Sequence, residues 1–219
     1  MGKLLVIEGL DGSGKATQTS LLFSKLAETG KIVRKVSFPD YDSPSSALIK
    51  MYLSGEFGTR PDEVNAYAAS SFYSVDRYAY FKREWEKDWL SGIVIADRYT
   101  TSNAIHQCPK IEKSKWDEYL DWLYGYEYDL LRIPKPDIVI YLKVDPIVSQ
   151  KLLEQRYNED EEKKDIHERD VEYLIRCQEA AIYCSERFGW KTVECTSGLE
   201  MRRVQDIHNE IMSIVEDYI

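Results

Sequence analysis

Leu4-Leu5-Val6-Ile7-Glu8-Gly9-Leu10-Asp11-Gly12-Ser13-Gly14-Lys15 is the stretch whose reading decides the fold. Its first four residues form an unbroken apolar run, which suits a strand covered on both faces, and the glycines after it mark a turn. Residues 15–28 then read as a helix, closed by Gly30 in the position that glycine favours. Strand, Gly-rich turn and helix in that order are the setting in which Gly9-Leu10-Asp11-Gly12-Ser13-Gly14-Lys15 matches the P-loop pattern. Glycines let backbone N–H groups turn inward around a phosphate, the helix N-terminus adds the positive end of its dipole, and Lys15 supplies a mobile charge.

The pattern breaks at its last position. Ala16 stands where a Ser or Thr hydroxyl normally ligates magnesium, and it has no ligand to offer. Thr17 follows at once, but one residue turns a helix by about 100°, so its hydroxyl is not expected in the same place. A magnesium ion is expected to keep an extra water or to lean on Asp97.

Outward from the loop, residues 32–36, 92–96, 138–142 and 191–194 read as further short strands. Residues 45–54, 62–90, 114–131, 146–155, 168–188 and 200–218 read as helices. Strands alternating with helices imply an α/β fold with a parallel sheet covered on both faces, which gathers its ligands at the carboxyl ends of the strands. The 219 residues are expected to form a single domain, 1–219.

Composition narrows the class. With 43% hydrophobic and 31% charged residues the chain is neither disordered nor fibrous. A net charge of −9 argues against a long nucleic-acid groove, which needs a basic face. The apolar runs are strand-sized rather than membrane-sized, and the first residues run straight into a strand rather than a signal peptide, so a cytoplasmic protein without a membrane partner is expected. Cys108, Cys177, Cys184 and Cys195 show no metal-binding spacing and are expected to be reduced thiols.

Three further features bear on chemistry. The strand over residues 92–96 ends in Asp97-Arg98-Tyr99-Thr100-Thr101-Ser102, at the edge where a parallel sheet holds its ligands. Asp97 can orient a magnesium-bound water there, and the Arg98 fork can bridge two phosphoryl groups. Tyr73 and Arg77 lie four apart on one helix face, where they either stack on and bond a nucleobase or serve as an ordinary core ring and solvated cation. Residues 157–165 are almost wholly charged or polar and form either a solvated loop or a lid over phosphates. Arg156 at their edge favours a lid at about 156–168.

With the P-loop residues, Phe38-Pro39-Asp40, the Tyr73 and Arg77 pair and Asp97-Arg98-Tyr99-Thr100-Thr101-Ser102 in this order, the chain resembles the thymidylate kinase family over nearly its whole length. The resemblance implies a P-loop nucleoside monophosphate kinase fold with a five-stranded parallel sheet, a homodimer, and transfer of the γ-phosphate of ATP to dTMP with Mg2+. It implies that Gly9, Leu10, Asp11, Gly12, Ser13, Gly14, Lys15, Ala16 and Thr17 hold ATP. Asp11 would receive the sugar 3′-hydroxyl, Tyr73 would stack on thymine and Arg77 would bond its carbonyl oxygen.

Phe38, Arg98, Ser102 and His106 complete the dTMP site that the resemblance implies. Lys15, Asp97, Arg98 and Arg156 would carry catalysis, with Arg156 as the lid arginine that a P-loop lacking one requires, and Lys163 or Lys164 assisting. Gln107 is a further candidate for the base pocket. Two positions depart from the family pattern: Tyr41 stands where many relatives have arginine, and His106 where an aromatic ring often lies beneath the sugar. The rival readings are a kinase for another pyrimidine monophosphate such as dUMP, and a nucleotide-binding regulatory module weakened by Ala16.

Overall fold

The N-terminal apolar run forms strand β1 (Lys3–Gly9) at the centre of a five-stranded parallel sheet in a computed structural model that describes residues 2–157, 167 and 171–219. On one side β1 pairs with β3 (Ile93–Asp97), which pairs in turn with β2 (Val33–Ser37). On the other side it pairs with β4 (Ile138–Lys143), which is followed by β5 (Lys191–Glu194). All pairings are parallel and the order is β2-β3-β1-β4-β5.

Strand side chains alternate between faces, and that is why the run is unbroken. Leu4 and Val6 join Val94, Ala96, Val139 and Tyr141 in one core cluster, while Leu5 and Ile7 join Ile95, Ile140 and Leu142 in the other. The first cluster is covered by α3 (Ala66–Tyr80), α5 (Thr100–Gln107), α6 (Trp116–Tyr124) and α8 (Val171–Phe188), with α2 (Ala47–Leu53) before them and α4 (Glu86–Ser91) and α7 (Pro146–Tyr157) between them along the chain. The second is closed by Leu22 and Leu26 of α1 (Lys15–Ala27) and by Ile207, Ile211 and Val215 of α9 (Val204–Val215). The four cysteines are free and buried, three of them in the first cluster. Among the described residues no helix is long and apolar enough to cross a membrane.

Three expected helices differ in their bounds. The one expected over 62–90 begins only at Ala66, because Val64 and Asn65 are extended and the Asn65 side chain accepts the Ala68 N–H at 2.9 Å, a helix cap. It then passes through a π turn, Phe81–Trp85, into Glu86–Ser91. The wider turn leaves Phe81 and Trp85 both buried against the aromatic cluster around Tyr99. The helix expected over 114–131 likewise ends in a π turn, Gly125–Leu130, which carries Glu127 into the interior.

At the C-terminal end the helix expected over 200–218 starts at Val204. Glu200–Met201 instead pairs antiparallel with Thr196–Ser197, across a turn in which Gly198 has φ 60°.

Candidate active site

Register brings the chemistry together. Ile7 lies opposite Asp97 and Gly9 opposite Leu142, so the loop leaving β1 and the end of β3 emerge side by side. Gly12 and Gly14 have φ of 79° and 83°, a conformation costly to any residue with a Cβ, and α1 begins after Gly14 with no side-chain cap. Its first N–H groups are therefore left for a ligand. Ser149 Oγ donates to the Asp11 carbonyl at 2.6 Å and fastens the loop to the helix Pro146–Tyr157.

Lys15 folds back across the loop, donating from Nζ to the Leu10 carbonyl at 2.8 Å and lying 3.8 Å from Asp11 Oδ1. Asp11 is ion-paired with Arg98. Burial alone would raise the Asp11 carboxyl, but Arg98 and Lys15 together hold it well below the usual carboxylate range. Burial also works against the Arg98 charge, and Asp11, Glu8 and Asp97 more than offset it. Arg98 itself has φ 67°, a left-handed conformation unusual for a side-chain-bearing residue.

Glu8, which the sequence did not single out, is the anchor beneath this group. Fully buried, it accepts from the Gly9 N–H at 2.9 Å, Thr101 Oγ1 at 2.6 Å and Ser102 Oγ at 2.8 Å, and lies 3.9 Å from Arg98 Nη1. Asp97, in contrast, makes no hydrogen bond or salt bridge from its carboxylate among the described residues, although it lines the cleft.

The cleft, about 870 Å3 in volume, runs from the loop to the α3 and α5 walls, a size suited to small ligands. Asp11, Gly12, Gly14, Lys15, Ala16, Thr17, Phe38, Tyr73, Arg77, Asp97, Arg98, Ser102 and His106 all line it. Gly9, Leu10 and Ser13 do not: they lie behind the loop, buried. Phe38 is chiefly a core ring, packed edge-on against Tyr80, Trp85 and Tyr99. Tyr73 sits edge-on to Tyr52. Arg77 is not a solvated cation, since it is only 2% exposed and its guanidinium lies 5.5 Å from the Phe38 ring and 5.4 Å from the Tyr99 ring. Arg156 lies on the backbone of the helix ending at Tyr157, while its side chain and lid residues 158–166 and 168–170, with Lys163 and Lys164, lie outside the described residues.

His106 is both a wall of the cleft and a buried polar residue. Its ring stacks on His167 at 5.5 Å and 11°, and Cys177 Sγ lies 3.6 Å from Nδ1. Burial, aided by the Arg98 charge, pushes His106 down to about 3, so it is neutral at physiological pH. His167, read from the sequence as an ordinary partly buried polar residue, also lines the cleft and is hydrogen-bonded through Nε2 to Tyr52 OH at 2.7 Å. Gln107 lines the cleft with both polar side-chain atoms buried and unpartnered among the described residues. Leu152, Met201, Arg202 and Val204 complete the end beyond the loop. Met201 and Arg202 reach it by way of the small hairpin that the sequence had concealed within a helical pattern.

A phosphate loop and an arginine-bearing strand end opening on one cleft of a five-stranded parallel sheet define a P-loop phosphotransferase of the nucleoside monophosphate kinase class. Comparison with known proteins narrows the class. The family model for thymidylate kinase matches residues 7–209. The thymidylate kinase of Schizosaccharomyces pombe is 29% identical over 99% of this chain and 92% of its own. That of Plasmodium falciparum is 28% identical over 98% and 90%. The solved thymidylate kinase structure from Candida albicans superposes with a TM-score of 0.70 at 21% identity, over 99% of this chain and 92% of that one, and so shows the shared fold. The chain belongs to the thymidylate kinase family, whose reaction is transfer of a phosphoryl group from ATP to dTMP.

Proposed function

We propose that the cleft holds the two nucleotides end to end, with the phosphates of ATP on the P-loop and the base of dTMP between the α3 and α5 walls. The observation that carries this reading is that Lys15, Arg98, Tyr73 and Arg77 line one cleft. Gly9 to Thr17 provide the donor site. Tyr73 stacks on thymine, Arg77 donates to its carbonyl oxygen, and Phe38, Ser102 and His106 form the surrounding wall. The Gln107 amide, unpartnered among the described residues, offers a donor and an acceptor together, the complement of the imide edge of a pyrimidine.

The acceptor phosphate is already ionised at neutral pH, so no base need strip a hydroxyl, and catalysis reduces to alignment and charge neutralisation. Lys15 transfers its ammonium group from the Leu10 carbonyl to the donor phosphates. Arg98 exchanges Asp11 for the phosphoryl groups on either side of the transfer, which frees Asp11 to accept the sugar 3′-hydroxyl. Arg156 adds a third cation from the lid segment, and closure there excludes water.

Magnesium fits the residues present in a limited way. Among the described residues no group of three or more acidic, histidine or cysteine side chains could hold a metal, and Ala16 contributes nothing. The Asp97 carboxylate, unpaired among the described residues, is a hard oxygen ligand at the right edge of the cleft, and magnesium keeps waters readily. Asp97 would thus hold the ion directly or through water, and the ion would supply charge neutralisation to the phosphates.

A homodimer in the cytoplasm completes the proposal. A coupled ADP-release assay tests it. Turnover is expected with dTMP in preference to dUMP, with the margin for one methyl limited to about 1–3 kcal/mol, and is expected to vanish on magnesium chelation. ATP binding without dTMP-dependent ADP formation would favour the regulatory-module reading instead.

A further inference from the structure

Glu127 lines no part of the cleft, yet its fully buried carboxylate accepts five hydrogen bonds from four side chains. It accepts from Ser74 Oγ at 2.8 Å, Arg77 Nε at 2.7 Å and Nη2 at 3.0 Å, Thr100 Oγ1 at 2.6 Å, and Asn103 Nδ2 at 3.1 Å. A carboxylate has about four lone-pair sites, so Glu127 is saturated. These bonds clamp helix α3 to helix α5. Where its bonds fall points further.

Two of them fix one edge of the Arg77 guanidinium, and rings of Phe38 and Tyr99 cover its faces at 5.5 and 5.4 Å. Nη1 is not among the donors that Glu127 occupies, and Arg77 is part of the cleft wall. A guanidinium held side-on in this way is a directional donor rather than a charge on a flexible stem. The same carboxylate holds Asn103, which also lines the cleft, and Thr100 at the start of the helix that carries Ser102, His106 and Gln107.

We propose that Glu127 is a positioning residue for the acceptor base: by fixing Arg77 edge-on it makes the cleft select a pyrimidine with a 4-carbonyl oxygen over one with a 4-amino group. The inference rests on the reading of Arg77 as a base-contacting donor. A carbonyl oxygen accepts from a fixed guanidinium, whereas an amino group presents hydrogen to it.

The test is steady-state kinetics of Glu127→Gln with dTMP, dCMP and ATP varied in turn, beside Arg77→Gln, with folding checked by circular dichroism. Glutamine keeps the volume but turns an amide N–H2 toward partners that are themselves donors. The expected result is a rise in KM for dTMP of roughly ten- to a hundredfold, an unchanged KM for ATP, and a smaller preference for dTMP over dCMP. Should the glutamine variant not fold, Glu127→Asp, which keeps the charge but withdraws it from Arg77, is expected to show the same selective change to a lesser degree. Equal losses for both substrates, or a folded variant with unaltered dTMP KM and selectivity while Arg77→Gln is impaired, would overturn the positioning role alone. An Arg77→Gln enzyme with normal dTMP KM would overturn the base-contact reading, and the inference with it.

Discussion

Arg98 pairs with Asp11 and lies close to Glu8 while its own backbone adopts φ 67°. Such a backbone costs on the order of 1–3 kcal/mol and persists where surrounding contacts over-determine it. Replacing the side chain removes the bridging cation without touching either core. Arg98→Ala is therefore expected to lower turnover with dTMP by at least about a hundredfold while the circular dichroism spectrum stays native; near-normal turnover would sink the assignment.

His106 makes a second prediction at this scale. A histidine held neutral down to about 3 in the folded state but titrating near its ordinary value when unfolded costs stability as pH falls. That contribution is whole above about pH 6.5 and is lost progressively below it, by roughly 2 kcal/mol at pH 5. His167 is shifted in the same direction by burial, so it adds to the loss. Thermal melts of the wild type are expected to fall between pH 7 and pH 5 by more than those of His106→Phe. Arg98 and His106 were legible in the sequence because a motif surrounds them. Glu8 and Glu127 were not, since each sits in an apolar or aromatic stretch with no motif of its own, and its partners, such as Thr101 and Ser74, lie far away along the chain.

At the scale of the elements, the P-loop turn depends on backbone as much as on side chains. A Cβ on Gly12 would strain a backbone at φ 79° and meet the Ser149 carbonyl oxygen at 2.9 Å. Gly12→Ala is expected to lose about 1–2 kcal/mol of stability, seen as a lower melting temperature, and to raise KM for ATP because the loop cannot close around its ligand. All five strands could be read within a residue or two: β1, β3 and β4 are short, nearly continuous apolar runs because they are buried, whereas the edge strands β2 and β5 carry charged and polar residues around a single buried valine. What periodicity could not reveal was the interruption of helices. The Asn65 cap, the two π turns and the hairpin at Thr196 to Met201 leave the apolar spacing almost unaltered while changing which residues face inward. Of the cleft, the loop and strand-end motifs were legible; Met201, Arg202 and Val204 were not, because they carry no motif and gain their place only through the hairpin.

For the molecule as a whole, the sheet divides the apolar interior into two clusters, and the reacting groups emerge along the line where both clusters end. Both substrates and the protein are negatively charged, the chain carrying a net −9, so few cations must attract two polyanions. Those cations already have counter-ions of their own. Lys15 is held by the Leu10 carbonyl and Asp11, and Arg98 by Asp11 with Glu8 beneath it. A nucleotide that takes them up performs an ion exchange inside the protein, displacing a tethered carboxylate rather than mobile salt. Fewer dissolved ions are then released than the number of cations that engage phosphate. The apparent affinity for ATP is expected to fall with added potassium chloride less steeply than that cation count dictates, a slope measurable by titrating binding across salt concentrations. Asp11→Asn, which weakens the internal counter-ion, is expected to steepen it.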